Sequence, residues 1–416
     1  MIRPVIDFLF RPQFESYGRI NLAFYSIVLC LAAFIGSTVS VVVIAGAVFS
    51  SFHLGTGRLK WSPPEPIRLV FFAFAGLFVA DLVSAAVHPS GIAAKEVIEN
   101  LPFLGFAGLY AITVADRAQL LDAVEKTAAI ASLLAVPVLL AVTPADHRPE
   151  MASGNSSVLA LLATVLYLVT IGAADRRWNR WSFVFLAAAL CAAFVTVLSG
   201  SRAMWLALVL VPVLRLVMYR PLRRIVTGLP ALVALMACGA ALLALSSQVF
   251  DQRMQEAVSE FQAIEEGDLS GSIGQRLRIY SAGYELVLER PLLGYGPGNE
   301  RKEIADRTLE LFGEGISFSH AHNVALSVML RSGLLGLLAL LAVVIVPIVA
   351  AARAPKDDTG KAGFFLVCGF ITVYLCSGLV GLMLGHDIHD AVFIASVCFS
   401  LYLVFGRGDA PQQAGR

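Results

Sequence analysis

The chain has 416 residues, 58% of them hydrophobic and only 15% charged, with a mean hydropathy of +0.77 and a formal net charge of +1. A soluble domain carries nearer a quarter of charged residues, so this composition excludes an ordinary water-soluble fold and makes a bilayer the natural solvent. The small net charge conceals a segregation of charges along the chain and by itself points to neither nucleic acid nor an acidic partner.

A hydrocarbon core of about 30 Å needs about 20 apolar residues at 1.5 Å per residue. Twelve segments approach that length, over 19–35, 37–52, 67–87, 99–115, 120–143, 156–173, 182–199, 203–218, 227–247, 322–352, 363–383 and 390–406. The sequence before the first segment is broken by Pro4, Asp7 and Arg11, and Ile20 to Ser51 is too long for a signal-peptide core, so the first helix is expected to be an uncleaved anchor. Gly36, Ser37 and Thr38 predict a turn that splits this long run in two. Alternate loops then hold nineteen cations on one side, against only Lys95, Arg148 and Arg202 in the short loops of the other. By the positive-inside rule both termini are expected in the cytoplasm. The expected fold is an all-α polytopic membrane protein of about 12 transmembrane helices with one large periplasmic loop containing short helices. Helices 1–9 fall in residues 1–247, the loop in 248–321 and helices 10–12 in 322–416. The six cysteines lie singly in apolar runs, which suits packing rather than disulfides or zinc.

The large loop holds seven basic residues against thirteen acidic ones. Its overall field would repel a phosphate, so any anion binding must come from individually placed arginines. The spacing predicts a helix over Gln275 to Glu289 with Leu277, Tyr280, Tyr284 and Val287 or Leu288 on one stripe, ended by Pro291, Gly294, Gly296, Pro297 and Gly298. Four clusters could carry chemistry. Ser199 to Arg202 places a guanidinium at the outer membrane boundary, either as a phosphate clamp or as an interfacial anchor. Arg276 and Arg278 lie on the loop helix and spacing does not rank them. In SHAHN, Ser319 to Asn323, two histidines stand at the boundary as a candidate general base or as interface residues. Their i, i+2 spacing at a helix start points the rings apart, which disfavours a metal pair. In Gly385 to Asp390, GHDIHD fits a divalent cation or a hydrated turn. Asp81 and Arg331 are ionisable groups within apolar helices, each expected to have a partner.

LSGSRAMWLAL, QRLRIYSAGYELVLERPLLGYGPGN and HAHNVALSVMLRSGLLGLL, in that order, resemble the O-antigen ligase and polymerase superfamily of bacterial envelope glycan assembly. The motifs cover about residues 185–350. His322-Asn323, nine residues, Gly333 and then Gly336 match the pattern associated with the ligases. The resemblance implies a metal-independent inverting glycosyltransferase without cofactor, with an undecaprenyl-diphosphate-linked O-antigen donor and a lipid A-core acceptor, working among membrane lipids at the periplasmic face of the bacterial inner membrane and without nucleic acid. It places the essential arginines at Arg202 and Arg276 and the essential histidine at His322, with His320, Asn323 and Tyr280 as further substrate contacts. Tyr280 stands where the family often has tryptophan, and Arg331 where an acidic or neutral residue is expected. A polymerase or a protein O-oligosaccharyltransferase of the same superfamily shares the motifs, and a lipid-linked-glycan flippase shares the helix count. A diphosphate leaving group carries about two negative charges, which two arginines in a partly dehydrated site can stabilise as they develop.

Overall fold

A computed structural model describes residues 17–144, 147–176, 181–218, 251–318 and 320–406. In chain order the helices are α1 Gly18–Cys30, α2 Ala32–Ile35, α3 Thr38–Gly55, α4 Glu65–Val87, α5 Ala93–Glu99, α6 Phe106–Ile112, α7 Arg117–Val142, α8 Ser156–Arg176, α9 Trp181–Leu198 and α10 Arg202–Met218. They continue as α11 over 251–265, α12 Ser272–Glu289, α13 Glu300–Phe312, α14 Val324–Arg353, α15 Asp358–Leu379 and α16 Asp387–Phe405. No strand occurs among the described residues. Eight helices (α3, α4, α7, α8, α9, α14, α15 and α16) are long and apolar enough to cross a membrane, so the chain is a polytopic membrane protein.

The other four expected spans differ in instructive ways. The first is the shorter α1 followed by a break at Leu31. Gly36 then takes φ +57, and Tyr17 stacks near Phe49 while Phe24 abuts Gly46, so α1 and α3 run antiparallel as two helices across the predicted turn. The segment 99–115 is not one long helix. It folds as a 3₁₀ turn, Leu101–Gly105, leading into α6, with Pro102 removing a backbone donor at the junction. The eighth is the 17-residue α10. The segment 227–247 lies outside the described residues, as do Arg3, Arg11, Cys238 and Ser319.

α16 runs through the centre, every residue from Ile388 to Val404 being buried. A helix that is apolar all round belongs inside a bundle, and α16 packs accordingly between α3, α15 and the 3₁₀–α6 segment. The pair that positions the site is α4 and α14, packed antiparallel, with Gly76 against Ala339 at one level and Asp81 against Arg331 at another. Between α10 and α14, the described residues form α11, α12 and α13, which gather at the end of the bundle where α14 begins.

Candidate functional site

Gly333 interrupts α14 with φ +62 and ψ −154, a conformation essentially reserved for glycine. The break frees backbone groups, and the PLLGYG turn after α12 takes them up. Tyr295 and Gly296 N–H donate to the Leu330 and Arg331 carbonyls at 2.8 and 3.0 Å, and Leu334 and Leu335 N–H donate to Pro291 and Leu292 at 2.8 and 3.3 Å. Ser84 Oγ donates to the Leu293 and Arg331 carbonyls at 2.6 and 2.9 Å, tying α4 to both strips. A Cβ on Gly333 would stand 2.3 Å from the Leu292 carbonyl carbon, and one on Gly294 2.5 Å from the Leu330 oxygen. Two motifs that looked separate in the sequence are therefore one interlock, and their glycines serve close backbone approach.

This interlock sets the position of α12. Its buried face is Ile279, Ala282, Gly283 and Leu286, not the expected stripe, since Leu277, Tyr284 and Leu288 are exposed. Small residues decide the outcome: a Cβ on Gly283 would lie 2.9 Å from the Leu326 side chain, so only this face allows α12 to press so closely on α14.

His322 is held in the left-handed region, φ +52, one of two non-glycine residues with positive φ among those described. Tyr280 Oη donates to the His322 carbonyl at 2.8 Å, and Asn323 caps α14 by accepting from Leu326 N–H at 3.0 Å. Because the chain here is a strained turn before the helix, the rings do not point apart as expected: the His320 and His322 centroids are 4.4 Å apart. Phe318 meets His322 edge-on at 4.8 Å. Burial and the neighbouring Arg276 cation lower the His322 pKa, and burial with the His322, Arg301, Arg276 and His386 charges lowers that of His320 to about 4. Both rings are thus favoured as neutral bases near neutrality.

The structure ranks the two loop arginines. Arg278 is buried and structural, donating to the Leu269 carbonyl at 3.2 and 2.7 Å and to Glu314 at 2.9 Å, whereas Arg276 is the one whose charge is felt at both histidines. Arg202 begins α10, with its guanidinium 3.7 Å from Glu260. Glu260 also accepts from Ile273 N–H at 2.8 Å, so Arg202 stands at the N-terminal turn of the helix that carries Arg276. Arg148 joins it, donating to the Ser199 carbonyl at 3.1 and 2.8 Å, and Gly200 at φ +70 leaves just enough room for Arg253. Asn323 acts as a helix cap and also donates to the Leu379 carbonyl at 3.3 Å, contacts that account for both ends of its side chain. The GHDIHD segment is likewise a helix start, with His386 accepting from Ile388 N–H at 3.3 Å and Asp390 from Gly385 N–H at 2.9 Å. Among the described residues no group of three or more His, Cys, Asp or Glu could hold a metal ion.

Arg331 and Asp81 prove to be each other's partner. Arg331 Nε donates to Asp81 at 2.7 Å, Nη1 to Glu96 at 2.9 Å and Nη2 to the Glu96 carbonyl at 2.9 Å. Asp81 also accepts from Asn100 at 2.6 Å and from Ser332, and Arg301 donates to Glu96 at 3.0 Å. This network lines a cavity of about 120 Å³ that reaches His320 and includes the buried Glu300. Glu96, Glu300 and Arg301 were not singled out from sequence, since charged residues beside a membrane boundary ordinarily face water and only the fold turns them inward.

Residues 187–341, which contain Arg202, Arg276, His320, His322 and Arg331, match the family model described as O-antigen ligase. No curated protein matches the chain. The matched segment carries α10, α12 and most of the interlock, so this part of the chain is similar to the O-antigen ligases.

Proposed function

We propose that the protein is an O-antigen ligase that moves a glycan from undecaprenyl diphosphate to a sugar hydroxyl of lipid A-core, with inversion at the anomeric carbon. The observation that carries this reading is the 2.8 Å bond from Tyr280 to the His322 carbonyl, which brings the helix that carries Arg276, one turn before Tyr280, to the paired rings of His320 and His322 at the start of α14. In this reading His322 accepts the proton of the acceptor hydroxyl, whose oxygen forms the new bond to the anomeric carbon as the bond to the diphosphate oxygen breaks. Arg276 and Arg202 hold the departing diphosphate; each such contact is worth about 10²–10³ in rate. Tyr280 fixes the backbone of His322. The charge asymmetry of the short loops supports an orientation with this end of the bundle on the periplasmic side of the inner membrane, where a lipid-linked sugar would reach water while its tail stays in lipid.

The acceptor is tested by a lipopolysaccharide gel of a deletion strain. Loss of a ligase leaves core without O-antigen; core bearing a single repeat would instead identify a polymerase and overturn the assignment.

A further inference from the structure

The cavity beneath His320 plays no part in the proton transfer just described. Its polar wall is unusual. Glu300, the first residue of α13, is only 7% exposed; its Oε1 lies 3.9 Å from Arg301 Nε, while Oε2 is enclosed with no hydrogen-bond partner. Arg301 Nε is likewise enclosed and unpartnered, because the guanidinium directs Nη2 at Glu96. A buried acceptor and a buried donor stand side by side, each costly to leave unmet. The lining also includes the aliphatic side chains of Val324, Leu382 and Leu384. The mouth is marked by Glu99 and Arg301, whose side chains are 50% and 37% exposed.

Four carboxylates, Asp81, Glu96, Glu99 and Glu300, line this cavity against two arginines, Arg301 and Arg331. An anionic group would be repelled, so a phosphate does not fit. A neutral polyol does: one hydroxyl donates to a carboxylate while its neighbour accepts from a guanidinium, and the ring C–H faces pack on aliphatic side chains. The volume, equivalent to about four waters, admits one edge of a sugar ring and not a whole oligosaccharide. His320 also lines the cavity, and its ring adjoins that of His322.

We propose that this cavity is the subsite for the acceptor sugar, with Glu300 and Arg301 holding non-reacting hydroxyls so that the reacting one is presented to His322. The proposal rests on the glycosyltransferase reading. It gives the histidine pair two faces: donor diphosphate is held on the Arg276 side, and acceptor is held on the Glu300 side.

The test uses the full-length protein in liposomes with a short-chain lipid-linked donor and lipid A-core, measuring KM for each substrate. Glu300→Gln removes a charged acceptor, and Leu384→Phe narrows the cavity at another of its lining residues, one that takes part in no ion pair. Each should raise the lipid A-core KM about tenfold or more while leaving the donor KM unchanged. If Glu300→Gln does not fold, Leu384→Phe decides alone. An unchanged acceptor KM, or a fall in kcat with both KM values unchanged, overturns the subsite while leaving the transferase reading intact. Absence of transfer by the unaltered protein overturns both.

Discussion

Replacing Arg331 with methionine keeps most of the side-chain volume and removes the charge. In the protein Arg331 makes three direct hydrogen bonds, two to carboxylates and one to the Glu96 carbonyl. Bonds to charged groups are worth about 1.5–3 kcal/mol each, but the larger consequence is that Asp81 and Glu96 are left buried with less compensation, Asp81 keeping Asn100 and Ser332 and Glu96 keeping Arg301. Breaking a buried pair from one side costs about 3–5 kcal/mol, and that is the destabilisation expected. Asp81→Asn in the same background should recover part of it, since the amide needs no counter-charge and the Ser332 and Asn100 contacts can persist. Thermal unfolding of the purified protein in detergent, across both single variants and the double, measures the coupling. If Arg331→Met unfolds at the same temperature as the parent, the network is not what holds α5 to α4 and α14.

Gly333→Ala should separate the PLLGYG turn from α14, because its Cβ would lie 2.3 Å from the Leu292 carbon; transfer should fall at least about 100-fold through displacement of Arg276, with the protein still inserted, as read by activity and membrane fractionation. Tyr280→Phe removes the 2.8 Å bond to the His322 carbonyl and should lower kcat by about three- to tenfold with donor KM unchanged; retention of full kcat would refute the positioning role. His322 must be neutral to accept a proton, and its pKa is lowered from 6.5 by burial and Arg276, so activity should be full above that value and decline only at lower pH. A kcat/KM profile whose acid limb lies at or above pH 6.5 would contradict this.

Much of the bundle was legible because hydrophobic length is a direct consequence of bilayer thickness, and the turn at Gly36 followed from local chemistry. The segment over 99–115 was less so: apolar composition does not reveal that it folds as short pieces buried against α3 and α4. His320 and His322 stood out as polar types at a membrane boundary and Asp81 and Arg331 as charges needing partners, whereas only the resemblance separated Arg276 from Arg278. What spacing could not supply was the pairing, since 250 positions separate Asp81 from Arg331. The stripe on α12 was misread for a related reason. Periodicity finds the large apolar residues, but the close contact with α14 selects the small ones, Ala282 and Gly283, and sends Tyr284 and Leu288 outward. The ring separation of the histidines was misjudged because a left-handed residue has no signature unless it is glycine or asparagine.

The most direct test is glycan transfer by the purified protein in liposomes, given a short lipid-linked donor and lipid A-core, for the unaltered chain and for His322→Ala and Arg276→Ala. The unaltered chain should yield glycosylated core, and each variant should yield none while remaining inserted in the bilayer. Absence of product from the unaltered chain, or full activity in either variant, would contradict the account.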